Sequence, residues 1–185
     1  MSYLVKRRFL IAVFAAMSVL PLQCATLERL ALTGMITQST AIVRGKVTGS
    51  FAAFTGPLIY THYQIQVSET FKGSSQKSVE VVVPGGIAKN LRQTFAGAPQ
   101  FNNGDDYVFF LWTGKSGLTQ IMGLTQGLFA VAPGGTSNPT VTRGASHELM
   151  LDPSTGRQVK DETLVMTLND LRSQIASTLA PGAAE

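Results

Sequence analysis

Tyr60-Thr61-His62-Tyr63-Gln64-Ile65-Gln66-Val67-Ser68-Glu69-Thr70-Phe71 is the stretch that decides the fold class. Tyr63, Ile65 and Val67 alternate with His62, Gln64, Gln66 and Ser68. Side chains two apart on an extended chain share a face, so the segment reads as a half-buried antiparallel strand. Upstream, Ala41 to Val47 alternates from Val43 onward, with Gly45 marking a bulge or sharp bend, and Gly56-Pro57 is a turn between the two runs. Downstream, Lys72-Gly73-Ser74-Ser75 turns the chain into Ser78 to Val83, where Val79, Val81 and Val83 point inward, and Pro84-Gly85-Gly86 ends that strand.

The same period continues. After a polar turn from Phe101 to Asp106, Tyr107-Val108-Phe109-Phe110-Leu111-Trp112 is the most hydrophobic run beyond the leader and reads as the central strand. Thr113 to Gly117 closes a hairpin onto Leu118 to Met122, Gly127 to Val131 adds a strand, and beyond the Pro133–Pro139 loop only Thr140 to Arg143 offers a further, edge strand. Helical spacing occurs only at the ends. Leu27, Leu30, Leu32, Met35 and Ile36 give a short helix within Thr26–Ser39, interrupted at Gly34. At the other end Thr167 and Asp170 form a capping box, Met166 staples onto Leu171, and Leu168, Leu171, Ile175 and Leu179 make one apolar stripe. Short strands, Gly-rich turns and terminal helices predict a mainly β domain over 25–179, a small antiparallel OB-like Greek-key barrel, with a sandwich as the second choice. Residues 180–185 read as a flexible tail.

Lys6, Arg7 and Arg8 precede the apolar run Phe9 to Leu20, the basic and hydrophobic regions of a secretory signal. The run has about 12 residues where a bilayer span needs ~20. We therefore expect a signal peptide over 1–24, cleavage after Cys24 or Ala25, and a secreted or periplasmic protein with no transmembrane anchor after processing. Cys24 is the one cysteine, so the product forms no internal disulfide and depends on packing. Acylation of Cys24 as a lipoprotein is the lesser reading, because Leu22-Gln23 lacks the usual small pair. Of 15 Lys and Arg, three lie in the leader, leaving 12 against 11 Asp and Glu, a balance of +1 in place of +4. With the basic residues spread among acids there is no stripe to neutralise phosphates, and nucleic acid is not an expected partner.

No residue pattern assembles a catalytic site. His62 and His147 stand far apart without a helical ligand partner, so neither predicts zinc; His62 reads as a solvent-facing strand residue and His147-Glu148 as part of a polar loop. Gly114-Lys115-Ser116 ends like a phosphate loop, but Phe109 stands where that loop needs its first glycine. Gly104-Asp105-Asp106 is turn chemistry. Glu69, Glu80, Asp105, Asp106, Glu148 and Asp152 are available for paired-carboxylate hydrolysis, and nothing in the sequence brings two together. No metal or cofactor is expected. The reading that follows is a non-enzymatic binding or accessory domain, with a hydrolase using scattered carboxylates as the alternative.

The interaction surface is assigned to Pro84–Phe101, long for a strand connection and without an acid between Glu80 and Asp105. Lys89, Asn90, Arg92, Gln93 and Gln100 are its candidate binding groups, suited to an acidic or carbonyl-rich protein partner. Ile87, Leu91 and Phe95 recur every four residues, so a one- to two-turn helix plugging the barrel end is the competing structural reading.

Ser39-Thr40-Ala41-Ile42-Val43-Arg44-Gly45-Lys46-Val47, then Tyr63-Gln64-Ile65-Gln66-Val67 and Phe71-Lys72-Gly73, resemble the opening of netrin-like domains, including the tissue inhibitors of metalloproteinases. The likeness continues loosely from Gly104 to Leu111 and covers about half of the chain beyond the leader. It implies an OB-type barrel. Inhibition of a zinc protease in the manner of that family would further require a free α-amino group on Cys24. A second resemblance, to uncharacterised exported bacterial β-barrel proteins, rests on Gly97-Ala98-Pro99-x-Phe101-x-x-Gly104, Val108-Phe109-Phe110-Leu111 and Gly123-Leu124-x-Gln126-Gly127-x-Phe129-x-Val131. Some of those proteins carry such a domain beside metallopeptidase modules, which implies an exported protein such as a metallopeptidase as partner.

Overall fold

A computed structural model describes residues 26–134 and 137–180. The expected leader with Cys24, and the tail after Ala180, lie outside the described residues. The protein is mainly β. In chain order the elements are β1 (Thr26–Glu28), α1 (Leu32–Gln38), β2 (Ala41–Thr55), β3 (Leu58–Lys72), β4 (Ser78–Pro84), β5 (Gly86–Ala88), β6 (Leu91–Gln93), β7 (Asp106–Thr113), β8 (Thr119–Ile121), β9 (Leu128–Val131), β10 (Thr140–Arg143), β11 (Leu149–Leu151), β12 (Gln158–Val159), β13 (Leu164–Thr167) and α2 (Leu168–Leu179). No helix among the described residues is long and apolar enough to cross a membrane.

The long β2–β3 hairpin is the spine. Its ladder runs from Ile42↔Lys72 to Thr55↔Leu58 and shifts register three times, once between Arg44 and Gly45. A Cβ at Gly45 would stand 2.5 Å from the Gln66 carbonyl oxygen, so the bend depends on glycine there. These shifts divide the hairpin's work. Ala41 to Lys46 pairs with β7, whereas β3 from Tyr60 to Gln66 pairs with β4 on its other side. The distal part of the hairpin thus projects as an arm.

β7 is central, as its composition predicts: β2 lies on one side, β9 and β8 on the other. Its alternation divides two cores. Val108 and Phe110 face a cluster with Met35 and Ile36 of α1, Phe129 and Val141, closed by Leu168, Leu171 and Ile175 of α2. Phe109 and Leu111 face a second cluster with Val47, Tyr63, Ile65, Val81 and Val83. Burial on both faces explains why this strand reads as a continuous apolar run.

The large sheet has the order β13-β10-β9-β7-β2-β3-β4-β8, and β8 also pairs with β7. It does not form a closed barrel. β8 meets β7 at three positions, Leu111↔Ile121 to Thr113↔Thr119, but touches β4 through one parallel bridge, Val82↔Gln120. A single bridge is no ladder, and from β7 the sheet continues instead into β9, β10 and β13.

Two other expectations need correction. β10 is not an edge strand, since β9 and β13 flank it. The segment expected to be helical from Thr26 starts as β1, which pairs parallel with β11 from Thr26↔Leu149 to Glu28↔Leu151, and the helix is confined to Leu32–Gln38. Buried Gln126 holds this extended start, its Oε1 accepting from Leu30 N at 2.8 Å and its Nε2 donating to Glu28 O at 2.9 Å. The C-terminal helix follows its signal: Thr167 Oγ1 accepts from Asp170 N, and the Asp170 carboxylate accepts from Thr167 N.

Candidate binding site

Pro84–Phe101 folds as neither an open loop nor a plugging helix. After β4 the chain reverses at Gly85 and Gly86, with φ of 104° and 135°. It then forms the β5–β6 hairpin, paired Gly86↔Gln93, Ile87↔Arg92 and Ala88↔Leu91. The turn is Lys89-Asn90, with φ of 48° and 62°, the left-handed pair a two-residue hairpin connection requires. The four-residue spacing of Ile87 and Leu91 therefore spans a turn, and both remain exposed, 55% and 60%. A helix would have buried that stripe.

Backbone contact explains why the hairpin lies across the β2–β3 arm. A Cβ at Gly86 would meet Thr61 Oγ1 at 2.6 Å and the Ala52 Cβ at 3.0 Å, so the strand approaches the arm more closely than a side chain permits. Gln93 Oε1 accepts from Ile59 N at 2.6 Å, and Thr61 Oγ1 donates to Gly85 O at 2.8 Å. Ile59 is buried beneath.

The five residues expected to bind thus divide. Gln93 is a strut holding the hairpin to the arm, its amide oxygen occupied. Lys89 and Asn90 form the turn, Lys89 Nζ lying 5.9 Å from the Phe54 ring centroid. Arg92 and Gln100, and Gln93 with them, line one cleft of about 280 Å³, with walls from Tyr63, Val83, Ile87, Phe95 and Pro99 and no carboxylate among its lining residues. The Ile87↔Arg92 and Gly86↔Gln93 pairs of the hairpin both line this cleft, together with Thr61 and Tyr63 of the arm.

Sequence reasoning missed a second cleft of about 390 Å³ on the other side of Pro99 and Gln100, lined by Phe101, Tyr107, Ser146, His147 and Glu148 among others. Burial, and secondarily Asp105, pushes the Tyr107 hydroxyl pKa up. Arg143 and Asp161 shape the loop carrying Ser146 to Glu148: Asp161 Oδ1 accepts from Arg143 Nη2 at 2.7 Å and its Oδ2 accepts from Ser146 N at 2.8 Å. The meeting of Phe101 and Tyr107 with Ser146 to Glu148, distant in the chain, has no local sequence signal.

The scattered carboxylates engage separate partners. Glu69 pairs with Arg172 at 2.9 Å, Asp106 with Arg44 at 2.8 Å, and Glu80 with His62 at 2.8 Å. Asp105 Oδ2 accepts from Asn102 N in a turn, and Asp152 serves its own turn near the C-terminal half of the chain. His62 is not solvent-facing: its side chain is 12% exposed and stacks on Phe51, directly opposite it in the ladder, with ring centroids 4.7 Å apart. No group of three or more His, Cys, Asp or Glu placed to hold a metal occurs among the described residues. No protein-family model and no curated protein matches this chain.

Proposed function

We propose that this protein is an exported binding or accessory domain that holds a protein partner against its β5–β6 hairpin and does not turn over a substrate. The observation that carries this reading is the chemistry of the hairpin's surface. Ile87 and Leu91 are more than half exposed and Phe95 is 38% exposed, beside the cations Lys89 and Arg92. Exposed apolar side chains gathered on one element, with basic groups at their margin, favour an interface over simple solvation. Export rests on the basic and apolar leader. Hydrolysis has less behind it, because Glu69, Glu80 and Asp106 are each engaged by a different side chain, Arg172, His62 and Arg44.

The spatial order β7-β2-β3-β4 is that of a Greek key, three successive antiparallel strands with a later one returning beside the first. β8 links its two ends, which supports an OB-like arrangement opened at the β4–β8 seam. The resemblance to netrin-like domains points the same way.

The test is cross-linking of the exported protein to its neighbours, with the wild type and with Lys89→Ala/Arg92→Ala. Surface substitutions of this kind should change stability by less than about 0.5 kcal/mol. We expect an unchanged melting temperature and severalfold weaker recovery of the wild-type partner. A large loss of stability with recovery unchanged would make the hairpin structural and overturn the reading.

A further inference from the structure

We infer that the cleft beside the hairpin takes an acidic side chain flanked by apolar ones, presented by an extended segment of the partner protein. The inference rests on the binding-domain reading and names what that surface recognises. Arg92 is the charged side chain among the lining residues. It makes no hydrogen bond or ion pair among the described residues, whereas Arg44, Arg143 and Arg172 are each paired with a carboxylate of this chain. A guanidinium carries five donors in a planar fork that matches a carboxylate bidentately, and the walls around this one supply no acid. Charge complementarity therefore selects an anion, and a planar one.

The walls select what surrounds it. Tyr63, Val83, Phe95 and Pro99 present apolar surface, and Ile87 stands directly opposite Arg92 in the hairpin. A small free acid would fill the 280 Å³ against Arg92, Ile87 and Phe95 and leave Leu91, 60% exposed outside the cleft, uncovered. An extended segment would cover both the cleft and Leu91, because its alternate side chains reach the cleft while its neighbours lie over the rim. Among the described residues β6 pairs with β5 alone, and its other edge, carrying no strand of these, offers main-chain pairing to such a segment.

The experiment is selection of a random octapeptide display library on the whole exported protein and on its Arg92→Ala and Arg92→Glu variants. For the wild type we expect enrichment of Asp or Glu next to an apolar residue. The best selected peptide should lose about tenfold or more in affinity on Arg92→Ala, the scale of a charge-assisted hydrogen-bonded contact, and also when its acid is changed to the amide. Arg92→Glu should reverse the preference toward Lys and Arg. No acidic enrichment, or the same selection by Arg92→Glu, overturns the inference. N-acetyl-leucine binding as tightly as the best peptide overturns the extended occupant. If the natural partner's capture depends on the hairpin while the library shows no acidic preference, this inference fails and the binding-domain reading stands. If capture ignores the hairpin, that reading itself fails.

Discussion

Asp152 illustrates how much a single carboxylate can organise without burial. Its Oδ1 accepts from Ser154 N, Ser154 Oγ, Thr155 N and Thr155 Oγ1 at 2.6 to 3.0 Å. Hydrogen bonds from the Ser154 hydroxyl and then the Thr155 hydroxyl favour the ionised form and hold its pKa down to about 2. The unfolded value is about 3.9, so the folded turn binds the proton less tightly than the unfolded chain does. Its contribution is therefore fully present above the unfolded value and is lost as pH falls through about 2. A carboxyl-carbon NMR titration should find the Asp152 midpoint near 2, and Ser154→Ala should move it upward. A midpoint already at the unfolded value in the wild type would show that the turn does not form in solution. The residue types in Asp152-Pro153-Ser154-Thr155-Gly156 signal a turn, but four donors converging on one oxygen is a matter of geometry.

At the scale of elements, legibility follows how local the determinants are. The C-terminal helix begins where Thr167 and Asp170 predict, since both partners of a capping box lie within one turn. Thr167→Ala should cost about 1 kcal/mol, read as a lowered midpoint in urea unfolding with an unchanged slope. A change below the error of that measurement would mean the Asp170 side chain caps the helix alone. The β5–β6 hairpin is the opposite case. Lys89-Asn90 lacks the glycine that marks a left-handed turn, and the four-residue spacing of Ile87, Leu91 and Phe95 imitates a helix. What decides it is the arm beneath, through the Gly86 approach to Ala52 and Thr61 and the Gln93 bond to Ile59 N. Of the candidate binding residues, Arg92, Gln93 and Gln100 line one cleft because this hairpin forms, with the Gln93 amide oxygen already accepting from Ile59 N.

The whole molecule is a sheet with two cores that share β7. Phe110 is fully buried on the helix side, 5.5 Å from the Phe129 ring, and helices from both ends of the described chain close over it. Phe110→Ala should destabilise the fold by about 3–5 kcal/mol, measured by equilibrium denaturation, because helices and sheet cannot both collapse into the void. A loss under about 1 kcal/mol would mean that α1 or α2 repacks freely. By itself the sequence determined the β class, β2 as far as Val47, the strands β3, β4 and β7 to β10, the central place of β7 and the capped C-terminal helix. Each of these is written in alternation or capping within about a dozen neighbouring residues. Only the tertiary structure decided the β1–β11 pairing, the open β4–β8 seam, the burial of His62 under Phe51 and the two clefts. β1, β11 and β12, of two or three residues, hold too few alternations to be recognised alone, and β1 and β11 form because partners such as Thr26 and Leu149 meet across most of the chain.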